Sequence, residues 1–423
     1  MRLQLTCSHS GSGALAEFFN VLPPEAALAA LLKHVRPALQ TESLKTHLAL
    51  DRVAAAAVRS PSALPAFPRA TMDGYALRAM DSFGASAGLP AYLTLVGEVP
   101  MGRAVQITVG PGEAAIVHTG GMIPDGTDAV VMIENTQVSR EGEIEVVKAV
   151  AVGENVLKIG EDVRPGDQVL PAGHWLRPQD VGGLQALGIT EIQVVKRPRV
   201  AILATGDEVV PPDQPAGPGQ VRDINSYTVD GLVRRSGGEP VHCGIIRDNF
   251  EALSAATRSA LIENDALVLS AGSSVSVRDL TSRVIDGLGE PGILVHGVAV
   301  KPGKPTILAA AQGKPILGLP GNPVSAMIIA DLFLTPALYH LMGCTNPPRR
   351  GWLRARLARN LDSEAGREDY VPARLEERDG DLWAEPVFGK SNLIFTLVHA
   401  HGVIKIPMNA SGIAEGEWVD VRL

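Results

Sequence analysis

The ten residues RVAILATGDE at 199–208 decide the architecture. An uninterrupted apolar run stops at a Thr-Gly-Asp-Glu turn, which reads as a strand buried on both faces that ends in a polar loop. A helix-period segment follows near 226–235, and the pair recurs: EPVHCGII (239–246) with a helix near 249–262, then DALVLSAG (265–272) with a helix near 279–288. GILVHGVAV (292–300), KPILGLPG (314–321) and a long helix from Pro323 complete the series. This alternation predicts a doubly wound, mostly parallel sheet over 198–346.

The texture differs on either side. Upstream, LTLVGEV (93–99), AVQITVG (104–110), AAIVHTG (114–120), DAVVMIE (128–134) and EIEVVKAV (143–150) are separated by Gly, Pro and Asp turns, the pattern of an all-β unit. A helix over 179–187 and a strand ITEIQVV (189–195) lead to a boundary at Lys196, Arg197 and Pro198. Residues 37–65 read as a helical and extended linker with one alanine-rich element, 50–58. Pro24 opens an amphipathic helix, preferred over a signal peptide because Glu25 precedes its apolar stretch. The Ser/Gly-rich residues 1–20 are expected to fray. Downstream of Pro347 and Pro348, WLRARLARNL, DYVPARLEE and EWVDVRL predict a small β-barrel or sandwich.

Composition narrows the function. The 423 residues, 45% hydrophobic and 20% charged, suit several globular domains, with no apolar run suited to a membrane span. With Lys+Arg 38 against Asp+Glu 46, the net charge of −8 argues against nucleic acid as a partner, so any anion must be held locally. Cys7, Cys243 and Cys344 are far apart, which predicts neither a disulfide framework nor a zinc site and fits a reducing cytoplasm.

In an open α/β sheet, ligands sit beyond the carboxyl ends of the strands, so the loops there are where chemistry is sought. They carry Glu208, Asp248, the run Gly272, Ser273, Ser274 with Asp279 beyond, Lys301 and Lys304, and Gly321, Asn322 and Ser325. Asn322 is placed to cap the helix at Pro323, whose free amides with Ser325 suit a phosphate or oxyanion. Gly272, Ser273 and Ser274 offer a backbone nest. Two of only ten lysines flank Pro302 and Gly303, a stiff arrangement of cations suited to a polyanion. Glu208, Asp248 and Asp279 would repel one another at a shared site unless a divalent ion joined them, and oxygen-only ligands favour Mg2+ over zinc. Gly389, Lys390 and Ser391 end like a phosphate-binding P-loop, but Ala384 stands where the first glycine is required and the context is β-rich. Read singly, each loop is also an ordinary polar strand end.

Eight motifs together resemble the molybdopterin molybdenumtransferases, the MoeA family that includes the gephyrin E domain. They are TMDGYALR (71–78), HTGGMIPDGTDAVVMIE (118–134), GEDVRPGD (160–167), RPRVAILATGDE (197–208), GIIRDN (244–249), KPGKP (301–305), LPGNPVSA (319–326) and GREDY (366–370). The resemblance implies four domains: an elongated one from 21–61 plus 163–197, an inserted β domain (62–162), the α/β domain (198–346) and a C-terminal β-barrel (347–423). It implies a homodimer whose cleft lies between the α/β domain of one subunit and the inserted domain of the other. The reaction it implies takes adenylylated molybdopterin and molybdate, inserts the metal at the dithiolene and releases AMP with Mg2+ present. Glu208, Asp248 and Asp279 then resemble the acids around the nucleotide phosphates and magnesium. Lys301, Lys304, Ser325, Arg367 and Ser391 resemble the molybdate contacts, and Asp73 and Thr119 the residues from the facing subunit; Asp162 reads as structural. Partners implied are the molybdopterin adenylyltransferase and apo-molybdoenzymes. Against the family's usual SGGVSVGDYD, this chain has SAGSSVSVRDL, and Gly297 beside His296 stands where some members carry lysine. Two alternatives are an adenylyltransferase-like enzyme and a non-catalytic cofactor-binding scaffold.

Overall fold

The computed structural model describes residues 21–270, 275–348 and 351–423. The expected fraying of 1–20 and the nest residues Gly272, Ser273 and Ser274 lie outside the described residues.

The stretch at 199–208 forms the strand Arg199–Thr205, second in a six-stranded sheet. Glu239–Ile246, Arg199–Thr205, Ala266–Ser270 and Lys314–Leu319 lie side by side and parallel. Successive side chains go to opposite faces, so the run is apolar throughout because both faces are covered. Val200 and Ile202 join Val268, Leu317, Leu232, Ile329 and Phe333 in one core; Ala201 and Leu203 join Leu267, Leu253, Leu261 and Ile285 in the other. The helix Pro24–Leu32 contributes Ala27 and Leu31 to the first.

The far edge departs from the expected order. Ile307–Ala311 is a strand that the sequence reading passed over, and it runs antiparallel to Lys314–Leu319. Pro291–His296, read as one more parallel strand reaching Val300, pairs antiparallel with it and stops at His296. ILAAA escaped notice because alanines give no β-branched signal, while its turn is local: Gln312 and Gly313 both have positive φ, the geometry of a tight hairpin.

The expected long helix is one rod, Pro323–Leu341; against the expectation of no such run, it is apolar and long enough to cross a membrane, yet 67% of its most apolar stretch is buried within the protein. Its middle widens to a π-turn over Ala330–Leu334, ahead of Pro336. Proline lacks an N–H and its ring crowds the carbonyl four residues back, so a wider turn there relieves both problems without breaking the helix.

The inserted β domain is a six-stranded sheet ordered Ala129–Met132, Gly74–Leu77, Glu113–Val117, Ala91–Glu98, Glu143–Val146, Thr136–Arg140. AVQITVG, read as a strand, makes only a bridge from Thr108 to Asp125; Val105, Ile107 and Val109 alternate because they pack on a core, not because they pair. Near the start of the chain, Thr41–Lys45 pairs with Glu191–Val195 and Val58–Arg59 with Gln168–Leu170. The alanine-rich element expected at 50–58 resolves into isolated bridges at Val53 and Ala54. In the C-terminal unit, Glu368–Arg378, Asp381–Pro386, Trp352–Leu357, Trp418–Arg422 and Gly402–Ile406 close into a barrel, because Glu368–Arg378 also pairs with Gly402–Ile406. Val300–Lys301, from the α/β segment, adds to this barrel as an edge strand.

The helix Pro178–Ala186 is anchored by Asp180, whose carboxylate accepts from the Arg177 backbone N–H (2.8 Å), the Arg177 side chain (2.9 and 3.0 Å) and His174 Nε2 (2.9 Å). Burial by itself would raise this carboxyl, but the bonds from Arg177 and His174 outweigh it and bring it from 3.8 to about 2. A depressed folded-state pKa contributes stability that is complete above the unfolded value and is lost as pH falls through the folded one. Asp180→Asn should therefore melt below wild type at pH 7, with the gap closing as pH is lowered from 5 to 2; a gap independent of pH would show that the carboxylate's charge is not what matters.

Candidate functional site

Two clefts open at the carboxyl ends of the parallel strands. The first, 880 Å³, lies between the ends of Arg199–Thr205 and Glu239–Ile246 and is lined by Gly206, Asp207, Asp223, Tyr227, Arg247 and Asp248 among others. Asp248 accepts from Thr205 Oγ1 at 2.8 Å, and its N–H lies 3.4 Å from Asp207 Oδ1. The three-acid set expected from the sequence is not assembled here. Neither Glu208 nor Asp279 lines this cleft, and among the described residues no group of three or more His, Cys, Asp or Glu is gathered as a metal cage. Glu208 folds back over Gly206, where a Cβ would come within 2.9 Å of its carboxylate. Asp207, which the sequence reading quoted in the TGDE loop without singling it out, lines the cleft where Glu208 does not.

Mg2+ needs less than a cage: one or two carboxylates, several waters and substrate phosphate oxygens. Asp207 and Asp248, hard oxygen donors on one wall of an open cleft, fit that requirement. The nest at 272–274 lies outside the described residues.

The second cleft, 980 Å³, lies at the seam between the α/β domain and the barrel, and it gathers Lys301, Lys304, Asn322, Ser325, Arg367 and Ser391. The β-pairing of Val300–Lys301 with Glu368–Asp369 brings the two walls together. Asp369, 3% exposed, sits beneath: Arg367 Nε donates to its Oδ1 at 2.8 Å and Lys301 Nζ lies 3.7 Å from its Oδ2. Arg367 Nη1 reaches the exposed Glu364 at 2.8 Å. Ser325 is buried at the start of the long helix.

Asn322 does not cap that helix as expected. Its Nδ2 donates instead to Ser391 Oγ at 2.9 Å, while the Val324 N–H, one of the amides expected to be free, donates to the Ser391 carbonyl at 3.1 Å. The PGNPVS turn is thus a clasp on the barrel loop. Gly321 is held from behind, its carbonyl accepting from Asn225 Nδ2 at 3.0 Å; the same amide reaches Ser270 Oγ at 2.8 Å. Sequence reasoning missed Asn225 and Asp369, which act from below the surface, and Lys390, which lines the cleft although its motif had been set aside.

Asp73 and Thr119 face each other on the inserted domain: Asp73 Oδ1 accepts from the Thr119 N–H at 2.7 Å and from its Oγ1 at 3.0 Å. The amide of Thr119, then its hydroxyl, hold the Asp73 carboxyl below its ordinary range, so it stays an exposed anion. Neither residue lines the two clefts of its own chain.

The doubly wound domain carries carboxylates along one cleft and cations along the other. The chain belongs to the MoeA family. The MoeA N-terminal region (domain I and II) matches residues 22–188, a domain described as "Probable molybdopterin binding domain" matches 201–340, and the MoeA C-terminal region (domain IV) matches 354–423. Molybdopterin molybdenumtransferases of Nostoc and of Haemophilus influenzae are each 32% identical, over 90% of this chain and 88% and 94% of theirs. A crystal structure of a molybdopterin biosynthesis MoeA protein from Pyrococcus horikoshii superposes with a TM-score of 0.82 at 31% identity, covering 95% of this chain and 100% of that one. A second, at 36% identity, gives 0.76 over 95% and 99%.

Between the two lysines, Gly303 has φ of +122°, and a Cβ there would lie 2.6 Å from Ile329 Cγ1 on the long helix. Gly303→Ala therefore meets strain and collision together. It should cost about 1–3 kcal/mol of stability and weaken oxyanion binding, measured by chemical denaturation and a molybdate titration; wild-type behaviour in both would show that the loop has room to shift.

Proposed function

We propose that this chain is a molybdopterin molybdenumtransferase: it binds adenylylated molybdopterin and molybdate, places the metal on the dithiolene sulfurs and releases AMP. The observation that carries the reading is the convergence of Lys301, Lys304, Ser325, Arg367 and Ser391 in one cleft, although they come from segments as far apart as 301 and 391 in sequence. Cations on constrained backbone stabilise a tetrahedral dianion without reorganising when it arrives. Arg367, its Nε fixed by Asp369, retains donors for an incoming oxyanion, while Ser325 and Ser391 supply hydroxyls. In the other cleft, Asp207 and Asp248 would hold Mg2+ between themselves and a further phosphate of the substrate. When bound, that ion supplies neutralisation of phosphate charge.

The first test is molybdate-dependent AMP release from protein loaded with adenylylated molybdopterin. A scaffold that only binds cofactor would release none, and an adenylyltransferase would instead form the adenylylated compound from its precursors. Lys304→Ala should lower turnover by ~10²-fold or more, the usual loss for one preorganised charge donor, with little change in melting temperature because the side chain is exposed. Lys304→Arg should recover little, since a planar fork is a poor substitute for a point charge beside two prolines. Near-normal turnover in Lys304→Ala would remove the anion site from this loop.

The same reading takes the working unit as a homodimer. Asp73 and Thr119 have a defined geometry around an exposed carboxylate but line neither cleft of their own chain, so a second copy is the partner that would use them. Mixing Asp73→Ala with Lys304→Ala subunits should restore activity to about one intact cleft per heterodimer. No recovery, with heterodimers demonstrated by mass, would sink the shared cleft.

A further inference from the structure

Lys301, Lys304, Arg367 and Lys390 all line the seam cleft, yet their charges are not equivalent. Lys301 and Arg367 are paired with the buried Asp369. Lys304 and Lys390 have no carboxylate within ion-pair reach among the described residues. The unneutralised positive charge thus comes from one lysine on each wall: Lys304 from the α/β side, Lys390 from the barrel.

Lys390 sits on backbone that is fixed in place. Its carbonyl accepts from Leu393 N–H at 2.9 Å, and the next residue, Ser391, is clasped to Asn322 and Val324 across the seam. On its other side Gly389 passes so close to Thr396 that a Cβ would lie 2.5 Å from the methyl. A cation mounted this way loses less freedom on binding than one on a loose loop.

Space argues for what it meets. A tetrahedral oxyanion fills roughly the volume of three waters, about 90 Å³, a small part of the 980 Å³ available. The buried Ser325 and the Asp369-held Arg367 suit that small ion, whereas Lys390 is exposed and stands near Phe388, a residue 59% exposed that lines the same cleft. A bare aromatic face has no use for an inorganic ion but suits a flat ring system.

We propose that Phe388 and Lys390 form a second subsite, in which Lys390 binds a phosphate of the organic substrate and Phe388 covers its planar ring, apart from the oxyanion at Lys301, Lys304, Ser325, Arg367 and Ser391. The resemblance to a P-loop ending is thus chemical and not topological: Lys390 comes from a barrel loop and lines the cleft together with Lys304 from the α/β side. The subsite rests on the reading of this cleft as the place where molybdate meets molybdopterin.

Wild type, Lys390→Ala, Lys390→Arg and Phe388→Ala are titrated calorimetrically with sodium molybdate and, separately, with inorganic pyrophosphate, and the KM for adenylylated molybdopterin is measured. Lys390→Ala should weaken pyrophosphate about tenfold, as loss of one charge-assisted contact does, and leave molybdate within about twofold and the melting temperature unchanged. Lys390→Arg should restore part of the affinity. Phe388→Ala should raise the KM for the organic substrate without affecting either inorganic anion. Unchanged pyrophosphate binding in Lys390→Ala would overturn the subsite, as would an equal loss for molybdate, which would merge Lys390 with the oxyanion site. A wild-type protein that binds neither anion would overturn the reading of the cleft itself.

Discussion

A short parallel pairing of two residues with two, Val300–Lys301 against Glu368–Asp369, is the constraint on which the cationic cleft depends. It draws a segment of the α/β domain into the sheet of the barrel and places a buried carboxylate under cations from both. A charge as enclosed as Asp369 is tolerated only when paired and hydrogen-bonded, and here Arg367 and Lys301 do the pairing. The arrangement works in both directions. The cations make the buried carboxylate tolerable, and the carboxylate fixes the cations where water alone would leave them free to wander.

That pairing explains how much electrostatic work a net-negative protein can do. Its overall −8 repels anions at long range, yet within a Debye length of the seam the local balance governs. Clustering four cations over two acids on the lining gives the cleft an excess of positive charge. The other cleft has the opposite character, with Asp207, Asp223 and Asp248 on its walls, which suits a ligand arriving with a cation.

Much of the fold was legible because two-sided burial leaves a plain trace. VAILA and ALVLS could hardly be anything but interior strands, and their polar ends announced where ligands would be sought. ILAAA was not legible, since its signal lies in a hairpin turn and not in the strand. At the site, residues that line the cleft, such as Lys301, Lys304 and Arg367, could be named from motif. Residues that act from beneath could not: Asn225 under Gly321 and Asp369 under Arg367 are meaningful only once segments far apart in sequence meet. Asn322 shows the limit of local rules. Its position was that of a helix cap, but a serine from the barrel, 69 positions away, competed for the side chain and won.

The rod Pro323–Leu341 is about 28 Å long at 1.5 Å per residue. At one end Asn322 and Val324 clasp the barrel loop; midway Asp331 meets Arg422 at 2.8 Å; at the other end the Leu341 carbonyl accepts from the Ala38 N–H at 2.8 Å. One stiff member is therefore tied to the barrel at two points and to the N-terminal segment at a third. Its π-turn at Ala330–Leu334 lies between these anchors, so the one irregular turn of the rod separates the end that clasps the barrel loop from the end that holds Ala38.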